Sequence, residues 1–276
     1  MKHSLINSAK LIIVLFCISS CSIDYKTKTE EQLEHEMAVK HKIKNITEYK
    51  IIFQFGLEQK ERINRLKSFD KNGFKQKEIA YSEGNIENSS TFEYDKSGNL
   101  LNANATNPDS SFLFKITRNY YENNLRKDLY FYLPDNTYKY KNVATYDESG
   151  RMTELKYYWP DGLKSINKYS YRGSKKMEDT EYSPEGEFRY KWIYQYDNRD
   201  NLIEAVQYYP GNKINAQVRN EYDRGKLLIK QNNYFGESLQ NVFSFTYNDK
   251  KLIESKTETT SGGMISAKYS YRYEFY

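Results

Sequence analysis

The residues of this 276-residue chain best placed to do chemistry are acidic. Asp70, Asp95, Asp147, Asp197 and Asp223 form one series, and Asp109, Asp135, Asp161 and Glu185 a second. A glycoside hydrolase needs two carboxyl groups flanking the scissile bond, so envelope glycoside hydrolysis by these acids is one reading. Each acid, however, recurs at the same point of a turn, where an Asp side chain hydrogen-bonds the backbone two residues on. Recurrence at a fixed phase is what a structural repeat demands, whereas a catalytic pair is singular. The acids therefore read as turn formers, and no run resembles a dense Asp/Asn calcium loop. No catalytic, cofactor-binding or metal-binding residue is assigned.

The other chemistries fall away by composition. His3, His35 and His41 all lie in the first 45 residues, and the cysteines are Cys17 and Cys21. Beyond residue 45 there is no partner for a serine or cysteine nucleophile and no thiolate or imidazole for zinc. The expectation is a protein without enzymatic activity and without a cofactor. Net charge is +5, and it falls to +3 if residues 1–20 are removed, because Lys2 and Lys10 leave and no acid does. Lys and Glu interleave without a basic block, which argues against nucleic acid as a partner.

The N-terminus explains the cysteines. A short basic region precedes the apolar run Leu11–Ile18 and two serines, the layout of an export signal too short to span a bilayer. Ile18-Ser19-Ser20-Cys21 resembles the bacterial lipobox, in which the cysteine is acylated and becomes the first residue of the mature chain. Residues 1–20 are then the signal peptide, and Cys21 is both the lipid attachment site and the one cysteine retained, in a compartment where an orphan thiol would be a liability. The membrane is a partner through that anchor. Ser22 after the cysteine, by resemblance to lipoprotein sorting in two-membrane bacteria, is compatible with the outer membrane. Residues 21–45 are highly charged. Thr29 and Gln32 fit a capping box opening a short helix over 30–42, and the segment reads as a lipid-anchored tether, helical or flexible, ahead of a body at 46–276.

The body is organised by repetition. Phe69, Tyr94, Tyr121, Tyr146, Tyr171, Tyr196, Tyr222, Tyr247 and Tyr273 recur every 25 to 27 residues. All five prolines, Pro108, Pro134, Pro160, Pro184 and Pro210, fall between them at intervals of 24 to 26. Both series mark turns: Asp147-Glu148-Ser149-Gly150 has Asp leading and Gly where a left-handed residue is needed, and Trp159-Pro160-Asp161-Gly162 has Pro in the second position. The chain thus reverses about every 12–13 residues. Strands entering the first kind of turn alternate cleanly, as in Phe188, Tyr190, Trp192, Tyr194 and Tyr196, while the returning strands alternate less well. The expected fold is all-β: a long antiparallel meander of about eight hairpin repeats, strongly curled or barrel-like with the tyrosines inside, since a flat sheet of 16–18 strands is abnormal.

Tyr146-Asp147-Glu148-Ser149-Gly150-Arg151-Met152 and Tyr94-Asp95-Lys96-Ser97-Gly98-Asn99-Leu100 resemble the YD-repeat unit of the rearrangement-hot-spot family, over most of residues 62–276. The resemblance implies a spiralling wall of β-hairpins and, as an alternative function, a component of a toxin or immunity system. The chain departs from that family in having few repeats and no recognisable toxin domain. The preferred reading is a cell-envelope lipoprotein that acts as a binding or scaffold module for a glycan or protein. Tyr157, Tyr158, Trp159, Trp192, Tyr194, Tyr208 and Tyr209, clustered in the central repeats, are the candidate ligand-facing aromatics. Adjacent aromatics on one strand point to opposite faces, so not all of them can share one surface.

Overall fold

The structure is a computed structural model that describes residues 29–276; residues 1–20, read above as a signal peptide, and Cys21 lie outside the described residues. Among the described residues one α-helix, α1 (Glu30–His41), precedes nineteen strands. They are β1 (Ile43–Gln54), the two-residue β2 (Leu57–Glu58), β3 (Arg62–Phe69), β4 (Lys75–Ser82), β5 (Asn85–Tyr94) and β6 (Leu100–Thr106). Next come β7 (Phe112–Tyr120), β8 (Arg126–Tyr132), β9 (Tyr138–Tyr146), β10 (Met152–Trp159), β11 (Gly162–Arg172), β12 (Lys175–Tyr182) and β13 (Phe188–Tyr196). The last are β14 (Leu202–Tyr209), β15 (Lys213–Tyr222), β16 (Leu228–Phe235), β17 (Ser238–Tyr247), β18 (Ile253–Thr260) and β19 (Ile265–Phe275).

From β3 to β19 each strand pairs antiparallel with the next. β1 then pairs with β3 on one side (Ile46 opposite Lys67) and with β19 on the other (Ile46 opposite Tyr273), so the sheet closes as a barrel. β2 is a short hairpin on the end of β1. Closure removes the edges that an open meander would expose.

The turn chemistry is as the sequence predicts. In four of the turns that open on Asp, those of Asp70, Asp95, Asp147 and Asp197, the carboxylate accepts two backbone amides, as Asp95 does from Ser97 and Asn99 at 2.8 and 2.9 Å and Asp147 from Ser149 and Arg151 at 3.0 Å each; Asp223 accepts that of Leu227. The fourth residue is left-handed, with φ of +84° at Gly98 and +75° at Gly150. After each of these turns the returning strand carries a bulge: Tyr146 pairs with Met152 but Thr145 with Glu154, and Tyr196 pairs with Leu202 but Gln195 with Glu204. A bulge shifts the inward phase by one residue, which is why the returning strands alternate poorly in sequence.

One aromatic per hairpin clamps its neighbour. The hydroxyls of Tyr120, Tyr146, Tyr171, Tyr196, Tyr222, Tyr247 and Tyr273 donate to the carbonyls of Leu100, Arg126, Met152, Lys176, Leu202, Leu228 and Ile253 at 2.8 to 3.0 Å. Each bond reaches back to the hairpin before, and the ladder shows that the repeating residue in the third unit is Tyr120. Tyr121 instead takes the Asp position of the turn, its amide bonded to the Leu125 carbonyl.

The segment read as a tether is a spacer nowhere in its described part. The capping box forms as expected, with Thr29 Oγ1 accepting from the Gln32 amide and Gln32 Oε1 from the Thr29 amide. But α1 docks on the barrel: Ala38 and Ile43 pack with Ile46, Phe69 and Leu252 in a buried cluster. β1 starts at Ile43, inside the supposed tether. The acids of the helix explain the docking, because the barrel wall supplies cations that the sequence pattern had not placed inward.

Candidate functional site

The barrel has two faces, and register assigns residues to them. One inward row runs Ala144, Leu155, Asn167, Glu181, Tyr190 across β9 to β13. A second runs Tyr169, Asp179, Trp192, Gln207, Ala216 across β11 to β15. Tyr157 stands between Asn142 and Ser165 on the same face. The wall is an alternation of aromatic rings with amides and carboxylates. Tyr190 donates its hydroxyl to Glu181 Oε2 at 2.7 Å, and Asn167 Nδ2 donates to Asp179 Oδ1 at 3.0 Å. The side-chain oxygens of Asn142 and Asn167 are buried with no donor.

The outward face is different. A row across β9 to β14 reads Thr145, Glu154, Lys168, Thr180, Lys191, Tyr208. The neighbouring outward rows mix Val143, Ile166, Ile193 and Val206 with Lys156, Glu178 and Gln217.

The seven candidate aromatics are split three ways. Tyr157, Trp192 and Tyr194 face inward, the last two in a cluster with Leu202 and Ala205. Tyr158 and Tyr208 face outward, opposite Lys141 and Lys191, with Lys141 Nζ 5.3 Å from the Tyr158 ring. Trp159 (50% exposed) and Tyr209 (40%) stand at the rim where the chain turns, Tyr209 bordering the inward Tyr190 at 6.4 Å. Alternation on a single strand makes this split unavoidable. Sequence reasoning missed Asp179 and Glu181, which lie beyond the bulge of their returning strand, and also Asn142, Asn167 and Tyr169, which lie on entering strands in phase with Tyr146 and Tyr171.

Electrostatics on the wall follow from burial. Burial pushes the hydroxyl of Tyr157 up to about 12 and raises those of Tyr169 and Tyr190. Burial likewise raises the Asp179 carboxyl, against the pull of Lys176 and the hydrogen bond from Asn167. The turn acids behave oppositely: the hydrogen bond from the Asn99 side chain lowers Asp95, and the amide of Arg151 lowers Asp147. Acids held ionised in this way are poor proton donors.

At the end of the barrel where α1 docks, a cavity of about 480 Å³ lies between the helix and the wall, lined by Tyr94, Tyr120, Tyr146 and Tyr171 of the clamp positions. Glu31 meets Arg118, and Glu34 meets Lys67 and Lys75. Burial would raise the Glu34 carboxyl, but the two lysines draw it down to about 2. His35 stacks on Phe74 with ring centroids 4.3 Å apart. Among the described residues no three His, Cys, Asp or Glu side chains converge as a metal site would require.

No family model matches the chain, and no curated protein is similar to it in sequence. Among solved structures, it is similar to a porin-like protein from Bacteroides uniformis, with 10% identity over 84% of this chain and 96% of that one and a TM-score of 0.48. A porin-like protein from Bacteroides vulgatus gives 10% identity, 84% and 98% coverage and a TM-score of 0.36. A DUF1329 family protein from Desulfovibrio piger gives 10% identity, 89% and 92% coverage and a TM-score of 0.20. Identities this low carry no residue of those proteins onto this chain.

Proposed function

We propose that the chain is a non-enzymatic binding protein of the bacterial cell envelope, lipid-anchored at Cys21, that holds a glycan against the inward wall of β9 to β14. One observation carries the reading. Tyr157, Tyr169, Tyr190 and Trp192 alternate there with Asn142, Asn167, Asp179, Glu181 and Gln207. Rings stack on the apolar faces of sugars, and amides and carboxylates pair with hydroxyls, so a mosaic of the two recognises a carbohydrate. The charged residues Glu154, Lys168 and Lys191 on the outward face favour a barrel that stands in water and is held at the membrane by its lipid.

Asp179 and Glu181 form an acid pair on the inward wall outside the turns. They sit two residues apart on one strand and project the same way, so both would stand on one side of a bound sugar. Hydrolysis requires the two carboxyls to flank the scissile bond. The pair fits hydrogen bonding to sugar hydroxyls.

The test is a glycan array followed by titration of the full chain in detergent, using tryptophan fluorescence as the signal. Binding weakened at least tenfold by Trp192→Ala, with no product released from the bound glycan, is expected. Binding unchanged in Trp192→Ala, or loss of signal only with Trp159→Phe, would move the site off the inward wall and overturn the reading.

A further inference from the structure

Arg126 opens β8 at the end of the barrel that α1 covers. Five cations line the cavity beneath the helix (Lys75, Arg118, Arg126, Arg151, Lys176) against two carboxylates, Glu31 and Glu34. Four of the five have an acid in place. Lys75 meets Glu34 and Glu78, Arg118 meets Glu31, Arg151 meets Asp147, and Lys176 lies 3.9 Å from Asp179. Arg126 forms no ion pair with a carboxylate among the described residues; the nearby Glu31 feels its charge but is gripped by Arg118, and the Arg126 Nε, like that of Arg118, is buried with no acceptor. A half-buried guanidinium without an ion-pair partner is free to donate a charge-assisted hydrogen bond to an incoming carboxylate.

Its position ties the cavity to the aromatic wall. Burial raises the hydroxyls of Tyr140, Tyr146, Tyr157 and Tyr169, and the Arg126 charge opposes the rise at all four. Tyr157 and Tyr169 belong to the wall to which the glycan is assigned; Tyr146 lines the cavity. Next to it, Arg118 already holds a carboxylate in a two-pronged grip, that of Glu31 from α1. The helix thus shows what this corner of the barrel accepts: a planar carboxylate, for which an arginine fork is the matched partner.

We propose that Arg126, with Arg118 beside it, forms an anion subsite that takes the carboxylate of an acidic, uronate-containing glycan lying on the inward wall, and that Glu31 occupies part of this subsite in the unliganded chain. The inference rests on the glycan reading and adds to it the class of sugar, the residue that selects it and the internal competitor. A cavity of about 480 Å³ is within the usual range for ligand sites, about 300–1,000 Å³.

The experiment compares a galacturonate hexamer with the same hexamer fully methyl-esterified, titrated against the full chain in detergent at fixed ionic strength, with inorganic sulfate as a sugar-free probe. The free acid is expected to bind at least tenfold more tightly than the ester. Arg126→Gln should close that gap without weakening the ester, and Arg126→Lys should restore part of it. Glu31→Gln should tighten the acid severalfold by releasing Arg118, a change opposite in sign to any loss of fold; melting curves of each variant check that the barrel is intact. Equal binding of acid and ester, both weakened by Trp192→Ala, would overturn the anion subsite and leave the glycan reading standing. Binding of neither hexamer would overturn the glycan reading. Sulfate binding lost in Arg126→Gln would then still support the subsite, and no sulfate binding would overturn it as well.

Discussion

Glu31 and Arg118 lie 87 residues apart in the chain and meet as a two-pronged ion pair, Nη1 and Nη2 of the arginine donating to the two carboxylate oxygens at 2.9 and 2.6 Å. With Glu34 set against Lys67 and Lys75, this pair holds a charged helix that would be marginal alone across the end of a barrel. The helix is bound as a ligand is bound, by charge on a prepared wall.

The docking should be acid-labile. Burial raises the Glu34 carboxyl, yet Lys67 and Lys75 bring it from 4.5 to about 2, and Glu31 is lowered in the same sense by Arg118. A carboxyl depressed in the folded state contributes stability that is present above its unfolded value and is lost as pH falls through the folded one. Between about pH 5 and pH 2 the chain should lose on the order of 2–3 kcal/mol from Glu34. Urea midpoints across that range check this, and Glu34→Gln should be less stable at pH 7 and flatter in its acid dependence.

Tyr120→Phe should destabilise the barrel by about 1 kcal/mol, the worth of a hydrogen bond whose acceptor is left behind, because its hydroxyl donates to the Leu100 carbonyl at 2.9 Å. Tyr121→Phe, at an exposed turn position, should change the melting temperature by less than the error of the measurement. Equal shifts would contradict the repeat phase given above.

Gly150→Val should cost at least about 1 kcal/mol, because a β-branched residue resists the φ of +75° found there. The added Cβ itself would meet only Leu125, at 3.8 Å, so the cost is one of backbone conformation. Gly150→Asn, which tolerates left-handed φ, should recover most of it in a thermal melt.

Removing residues 248–276 takes away β18 and β19, and with them the pairing of β19 to β1. Two edges are exposed at once, and the loss should be cooperative. A truncated chain that stayed monomeric and only modestly less stable would contradict closure.

Cys21→Ser should abolish lipid labelling and membrane fractionation. Retention on membranes after a salt wash would show that another segment holds the protein there.

Much of this architecture was readable from spacing. The prolines and the Tyr-Asp turns count the hairpins, the acids from Asp70 to Asp147 in both series cap their turns while Asp161 pairs instead with Lys164, and Thr29 with Gln32 marks the start of α1. The strands entering the Tyr-Asp turns declare their faces, so Trp192 and Tyr194 are inward by alternation alone. The returning strands hide theirs. After Tyr196 the chain turns and Leu202 is inward, but the bulge opposite Gln195 carries the inward phase to Ala205 and Gln207, and a strict period of two then assigns residues to the wrong side. Asp179 and Glu181 were lost for this reason.

What the sequence determined by itself is local: where the chain reverses, which residues cap each reversal, and that an aromatic returns every 25 to 27 residues. Such features depend on neighbours within a few positions, and residue type settles them. Tertiary structure alone decided three things: that β1 joins β19 to close the barrel, that α1 docks instead of spanning a gap, and that Arg118 and Arg126 face a cavity. Each depends on groups far apart in the chain, from the 33 residues between Glu34 and Lys67 upward, or on a phase set by a bulge. No periodicity along the chain records which distant charge a buried guanidinium will face.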